Sequence, residues 1–425
     1  MSHDTTSPTT DDGPTADDRP TVDDPADHHA ADYDYTGGAV ERPGLVADLT
    51  ERVEGDVRFD SYTRELYATD ASVYEQLPVG VVAPQSTADV AAVVDYCADR
   101  EIPVLPRGGG TSLAGQAVNE AVVLDLKRYM DAFREVDPEA GTATAQPGIT
   151  LARLNDHLEE HGLKYAPDPA WGDKSVLGGC IGNNSTGAHS LKYEKADGYV
   201  ESVEAVLADG TVATFGWVDV DELHAFASGS EGEDAGESDA AESDAVESDA
   251  TFLDTDSEIE RRVYQTVARI LAEEAAEIDA QFPDLTRNVS GYNLDRLLAD
   301  ARERGAVNVG RLLAGSEGTL AVVTEATVLL EPIPEATAVA LLTYDGVVDA
   351  MRDVAPILDH DPAAVEVMDD VLLDLARDTE EFGELVGTLP EGTNATLLVE
   401  FYGDSDDDAR ASVERLLADR LPEQS

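Results

Sequence analysis

Three consecutive glycines, Gly108, Gly109 and Gly110, stand between Arg107 and the hydroxyl residues Thr111 and Ser112, and another glycine follows at Gly115. Glycine lets the backbone turn sharply at positive φ with no Cβ in the way, so the run leaves successive N–H groups exposed on one turn. Bare amides beside two hydroxyl donors make an anion site that suits a pyrophosphate. Taken alone, the glycines fit an ordinary turn after a strand equally well. Spacing excludes two familiar nucleotide loops. A P-loop needs Lys and Ser or Thr directly after its last glycine, and the dinucleotide fingerprint needs G-x-G-x-x-G opening a helix; neither order is present.

A second glycine-rich stretch runs from Lys164 to Gly187 with little periodicity, which argues for a functional loop rather than a linker. Gly178, Gly179 and Gly182 permit close approach of a flat ligand, and Asn183, Asn184 and Ser185 offer groups to a heterocycle with several donors and acceptors. His189 follows, and a lone histidine reads as structural before it reads as a proton carrier. Arg287 fits either an anionic substrate or a structural ion pair, and Tyr292 either ring packing or a cofactor contact. Cys97 and Cys180 are the only cysteines, so there is no disulfide framework, no C-x-x-C and no thiolate set for an iron–sulfur cluster. Beyond residue 334 the candidates are Arg352 and His360, each reading as exposed or structural, so the catalytic residues stay unassigned and no metal ligands are named.

These residues need elements to present them. Val79 to Ala83 reads as a strand. Ser86 opens a helix at Thr87 with S/T-x-x-D spacing to Asp89, and Val90, Val93, Val94 and Cys97 form its buried face. Strands at Ile102 to Pro106 and Val122 to Leu126 complete a βαββ unit with the glycine turn at a strand end. Thr142 to Gln146 is a further strand, and Thr150 caps a helix that runs to His161 and stops at Gly162. Val200 to Phe215 reads as a hairpin turning at Asp209-Gly210. Glu258 to Ile278 reads as one amphipathic helix with Ile259, Val263, Val267, Ile270 and Leu271 on a common face. Gly315-Ser316-Glu317-Gly318-Thr319 opens a strand from Leu320 to Leu330, and Pro332 and Pro334 mark a boundary. A strand at Ala338 to Tyr344 and a helix at Val347 to Leu358 follow.

The chain has 89 acidic residues against 28 Lys and Arg, a net charge of -61, and its lysines stand only at 127, 164, 174, 192 and 195. Such charge, spread over every segment, fits work in concentrated salt, where the screening length shrinks to roughly 3 Å at 1 M. It disfavours nucleic acid and anionic membrane surfaces as partners. Residues 1–38 are acidic and poor in apolar side chains, which predicts a disordered tail. An acidic insertion at about 228–252, holding the repeat ESDAA, ESDAV, ESDA, is expected to be disordered as well, with metal binding the lesser alternative. No leader and no run of ~20 apolar residues is seen, so a cytoplasmic protein without a transmembrane segment is the expectation.

The order VGVVAPQSTADVAAVV, RGGGTSLAG, QPGITLARLN, PDPAWGDKSVLGGCIGNNSTGAHSLKY and RLLAGSEGTLAVVTEATVLLEPIP, with RNVSGYNLDRLL before the last, resembles the vanillyl-alcohol oxidase and p-cresol methylhydroxylase family, in particular its FAD-linked D-lactate dehydrogenase and glycolate oxidase branch. The resemblance implies an α+β fold: a PCMH-type FAD-binding domain of two α/β subdomains at 78–334, preceded by a packing segment at 39–77. The start of a ferredoxin-like α+β substrate domain, incomplete, would follow at 335–425. It implies FAD contacts at Arg107, Gly108, Gly109, Gly110, Thr111, Ser112 and Gly115, at Pro147, Gly148 and Asp168, at Gly178, Gly179, Gly182, Asn183, Asn184, Ser185 and Gly187, and at Glu317 and Gly318. Relatives with covalent FAD carry a histidine directly after the glycines; Thr111 stands there, which implies non-covalent FAD. Glu194 stands where relatives commonly have glycine. The implied activity is oxidation of a D-2-hydroxy acid such as lactate or glycolate by hydride transfer to flavin N5. Electrons would pass to an iron–sulfur protein, a quinone or a cytochrome, at the membrane periphery if the acceptor is there. The alternative is a flavin-binding, non-catalytic subunit or a truncated remnant lacking its C-terminal half.

Overall fold

The computed structural model describes residues 44–169, 171–228, 253, 255–283, 285 and 287–420; the acidic tail and the Glu237–Ala250 repeat lie outside them. The predicted βαββ unit is present as strand Gly80–Ala83, helix Thr87–Ala98, and strands Val104–Arg107 and Val122–Asp125. Val122–Asp125 pairs in parallel with both of the other strands. All four of its residues are buried, as expected for an apolar strand covered on both faces. A strand absent from the sequence reading, Asp56–Arg58, adds an antiparallel edge against Gly80–Ala83.

Ser86 caps the helix as the spacing predicts, its hydroxyl accepting from the Asp89 amide at 3.2 Å. Asp89 does more than close that turn. Its buried carboxylate accepts from the amides of Glu54, Gly55 and Gln85 at 2.9, 3.0 and 2.8 Å, which ties the packing segment to the helix start. A carboxylate accepting several backbone amides is well solvated by the protein itself, so its burial costs little.

The second subdomain is a five-stranded antiparallel sheet in the order Phe133–Asp137, Thr142–Ala145, Val322–Leu329, Val200–Val206 and Val212–Phe215. The hairpin turns at Asp209-Gly210 as read, with Gly210 at φ 81° and Asp209 accepting from the Thr211 amide at 3.0 Å. Thr150 caps the helix Leu151–Glu159 through the Arg153 amide at 3.3 Å, and Gly162 sits beyond its end at φ 68°. The two subdomains share a core, since Val206 and Val322 of the second sheet pack among Val90 and Val93 of helix Thr87–Ala98 and Leu124 of the first sheet.

The single helix expected over Glu258 to Ile278 is two, Glu258–Glu273 and Ala275–Gln281, broken at Glu274 with φ -107° and ψ 1°. From Glu273 to Glu277 no large apolar side chain continues the buried stripe, and the chain bends before Ile278 returns to the core at 5% exposure.

After Pro334 the chain builds strand Ala336–Tyr344, helix Val347–Leu358, strand Ala364–Met368, short helices Asp370–Arg377 and Gly383–Val386, strand Ala395–Gly403 and helix Asp406–Arg420. Ala395–Gly403 lies between the other two strands, antiparallel to both. Ala340, Leu342, Leu397, Val399 and Phe401 meet Ala350, Ile357 and Leu416 of the helices in a separate core. The order β-α-β-β-α follows the ferredoxin-like motif through five elements, with Ala336–Tyr344 on the sheet edge. Sequence reading placed one strand and one helix here; it did not place the nine-residue strand Ala395–Gly403 or the fifteen-residue helix Asp406–Arg420, nor the shorter elements between.

Candidate functional site

Three stretches distant in sequence, 106–117, 175–186 and 313–323, enclose one cavity of about 660 Å³, with Leu126, Pro147, Pro169 and Trp171 completing its wall. Of the residues read as site candidates, Arg107 to Ser112, Pro147, Gly178, Gly179, Gly182, Asn183, Ser185, Glu317 and Gly318 line it. Gly115, Gly148, Asp168, Asn184 and Gly187 are not in the lining.

The glycine turn follows directly from the C-terminal end of strand Val104–Arg107. Among the described residues, the amides of Gly108, Gly109, Gly110, Thr111 and Ser112 donate no hydrogen bond to the protein. Five neighbouring unspent donors on the wall of a cavity form an anion-binding concavity. The expected positive φ occurs at Gly110, 63°, and Gly115, 83°, but not at Gly108 or Gly109. Gly109 is required for another reason: a Cβ there would lie 2.2 Å from the Lys174 carbonyl oxygen.

Arg107 lines the cavity with its charge already committed. Its guanidinium donates to the carbonyls of Tyr67 at 3.1 Å, Ala117 at 2.8 Å and Thr69 at 2.8 Å. Burial lowers its pKa, opposed by Tyr67, Asp70 and Asp125. The Tyr67 hydroxyl donates to Asp125, and burial with that bond pushes its pKa up, so it stays protonated. The arginine fastens the turn to the packing segment.

Two residues that the sequence did not single out join the three stretches. Gln116 accepts from the Ser112 hydroxyl and donates to Asn183 Oδ1 at 3.5 Å and Glu317 Oε1 at 3.3 Å. Ser175 lies 3.2 Å from the Thr111 hydroxyl. Trp171, half exposed at 51%, stands at the rim with Lys174 Nζ 5.3 Å from its ring centre. Position beside the glycine motifs was the only signal for Gln116 and Ser175; an exposed tryptophan in a glycine-rich loop was a better one.

Asn184 is spent on architecture. Fully buried at φ 46°, it donates to Asn293 Oδ1 at 3.2 Å and accepts from the Asp197 amide at 3.0 Å. Asn293 in turn donates to the Ala314 carbonyl at 2.9 Å, just before the Gly315 turn. Behind that turn Arg311 pairs with Asp300 at 2.9 Å, both buried. Gly148 backs onto the Leu126 and Met130 carbonyls, and Gly187 onto that of Asp168, so these glycines permit close backbone packing.

Titratable groups are scarce here. Among the described residues the cavity touches Arg107, Cys180 and Glu317. Burial pushes the Cys180 thiol up to about 11, so it is neither a thiolate nor a nucleophile at neutral pH. Tyr292 bonds Thr319 at 3.0 Å outside the lining, and Arg287 is exposed. His189 meets Glu400 at 3.1 Å, and His360 pairs with Asp419 at 3.2 Å on the C-terminal unit. Arg352 pairs with Asp349 on an exposed helix face at 3.0 Å. Among the described residues no group of three His, Cys, Asp or Glu is placed to hold a metal ion, and no helix is long and apolar enough to cross a membrane.

Residues 78–216 match the model of a FAD binding domain, and residues 333–424 that of the FAD linked oxidases, C-terminal domain. The chain is similar to D-2-hydroxyglutarate dehydrogenase of Escherichia coli (strain K12), 31% identical over 374 residues, covering 85% of this chain and 34% of that one. It is 28% identical to glycolate oxidase subunit GlcD of Bacillus subtilis (strain 168) over 84% of this chain and 60% of that one. A shorter match, 38% over 138 residues, is to D-lactate dehydrogenase of Archaeoglobus fulgidus, covering 32% of this chain and 30% of that one. The chain thus spans about a third of the length of the D-2-hydroxyglutarate dehydrogenases it matches. Among solved structures alkyldihydroxyacetonephosphate synthase shares the fold, with a TM-score of 0.58 at 19% identity over 89% of this chain and 60% of that one.

Proposed function

The chain belongs to the FAD-linked oxidases, and on that premise we propose that it binds FAD non-covalently and takes part in oxidising a D-2-hydroxy acid of the lactate, glycolate or 2-hydroxyglutarate kind. The observation that carries this reading is the run of unspent amides from Gly108 to Ser112 on the cavity wall. Its volume of about 660 Å³ lies within the usual range for small-molecule sites. The donors fit the cofactor: five amides and the Thr111 and Ser112 hydroxyls for a pyrophosphate, and Gly178, Gly179 and Gly182 for the close approach of a flat ring. Asn183 and Ser185 offer polar groups beside it. Thr111 has no nitrogen with which to form a covalent link. When bound, FAD supplies the hydride acceptor that such an oxidation requires.

We take residues 78–334 as the unit that holds the cofactor and 335–425 as the part that covers the substrate. Electrons leave to an iron–sulfur, quinone or cytochrome acceptor, and the chain works in the cytoplasm. A second reading, a flavin-binding subunit that does not turn over alone, is favoured by the scarcity of bases: of the titratable groups on the cavity wall among the described residues, Arg107 is committed to carbonyls, the Cys180 thiol is protonated, and the one carboxylate, Glu317, accepts from Gln116.

Purified protein tests both. Flavin should co-purify and appear in the supernatant after acid precipitation, and flavin remaining with the pellet would refute non-covalent binding. Anaerobic addition of D-lactate, glycolate or D-2-hydroxyglutarate should bleach the flavin if the chain is catalytic. Bleaching by dithionite alone would support the second reading.

A further inference from the structure

His189 touches both the cavity loop and the C-terminal sheet. Its Nε2 lies 3.1 Å from Glu400 Oε2, on strand Ala395–Gly403, and its Nδ1 lies 3.4 Å from Asp168 Oδ2. The side chain is 17% exposed, and Nδ1 is buried off the line of a hydrogen bond. The ring stacks on Tyr402 at 5.7 Å, and Tyr193 lies 6.2 Å from the same tyrosine.

A neutral imidazole has one N–H, so it can donate to one of these carboxylates and must turn a lone pair toward the other; an imidazolium donates to both. We propose that His189 is a positioning residue: in its protonated form it pins the C-terminal sheet, through Glu400, to the Asp168 segment that walls the cavity. Asp168 directly precedes Pro169, which lines the cavity, and Gly187 lies against the Asp168 carbonyl. A shift at His189 is therefore passed into both limbs of the loop.

The charged surroundings favour the cation. Glu331 stands with Asp168 and Glu400 near Lys164, whose Nζ is 5.3 Å from the Tyr402 ring centre, and Lys192 is 5.8 Å from it. Strand Ala364–Met368, which also packs against helix Ser190–Tyr193, adds Glu366 as its charged residue. The Asp168 carboxylate beside Nδ1, opposed by burial and aided by the hydrogen bond to Glu400, raises the histidine pKa above its ordinary value. A group with a raised folded-state pKa contributes stability that is complete below its unfolded value, about 6.5, and is lost as pH rises through the folded value.

The test is hydrogen exchange on the full chain in molar KCl, expressed as protection factors so that the intrinsic pH dependence is removed. Between about pH 6 and about pH 9, protection in residues 166–188 and 398–403 should fall about tenfold or more in the wild type. His189→Gln should be poorly protected at both pH values, and His189→Lys, a permanent cation, should keep protection at the higher pH. Protection independent of pH in the wild type, or an unchanged profile in His189→Gln, would overturn the proposal. Should His189→Gln fail to fold, the wild-type and His189→Lys profiles decide. No flavin is needed, so failure of the FAD reading would show separately, as colourless protein with an intact pH response.

Discussion

Gly109 lies against Lys174 so closely that a β-carbon on it would stand 2.2 Å from the Lys174 carbonyl oxygen. This contact seats the glycine turn on the second loop, and the cavity exists because the two backbones meet there. Gly109→Val should therefore push the loops apart and abolish flavin retention while leaving far-UV circular dichroism unchanged. Flavin absorbance of the purified variant is the measurement; full occupancy would mean that the turn does not hold the cofactor.

Arg107 is expected to act on stability more than on affinity. Its three bonds to main-chain carbonyls run from two nitrogens of a planar guanidinium and cannot be matched by a lysine, whose three N–H groups all leave one nitrogen. Arg107→Lys should cost about 3 kcal/mol in denaturant unfolding, because charged hydrogen bonds are lost and carbonyls are left without donors. An unchanged unfolding midpoint would show that water replaces the guanidinium.

Glu194 occupies φ 54° and ψ -123°, a conformation natural to glycine, and its side chain is exposed. Glu194→Gly should stabilise the chain by about 1 kcal/mol, since the strain removed exceeds the backbone entropy that glycine adds. A destabilised variant would mean that neighbouring contacts, rather than local strain, set this turn.

Net charge makes salt a folding condition. With a charge of -61, lowering KCl from molar to about 0.1 M lengthens screening to ~10 Å, and unfolding should move to lower temperature. Thermal melts across a KCl series measure this. A melting temperature independent of salt would remove self-repulsion from the account of this surface.

Local chemistry made much of the fold legible. Ser86 and Thr150 announced their helices because an N-cap is decided within four residues, and Asp209-Gly210 announced its hairpin because the turn needs a left-handed glycine. Glu274 did not announce the helix break, since nothing in its own chemistry forbids a helix there; the bend depends on where Ile278 finds the core.

The sequence by itself determined which stretches carry amides, glycines and hydroxyls suited to an anion, and in what order, because those properties belong to single residues and their neighbours. Only the tertiary structure decided how each is used. Arg107 became a clamp on Tyr67, Thr69 and Ala117, and Asn184 a buried tie to Asn293 and Asp197, while Gln116 and Ser175 entered the site unannounced. His189 acquired Glu400, 211 positions away, as its partner. A side chain's hydrogen-bond capacity can be read from its type, but whether a partner arrives is settled by packing between segments that sequence distance does not relate.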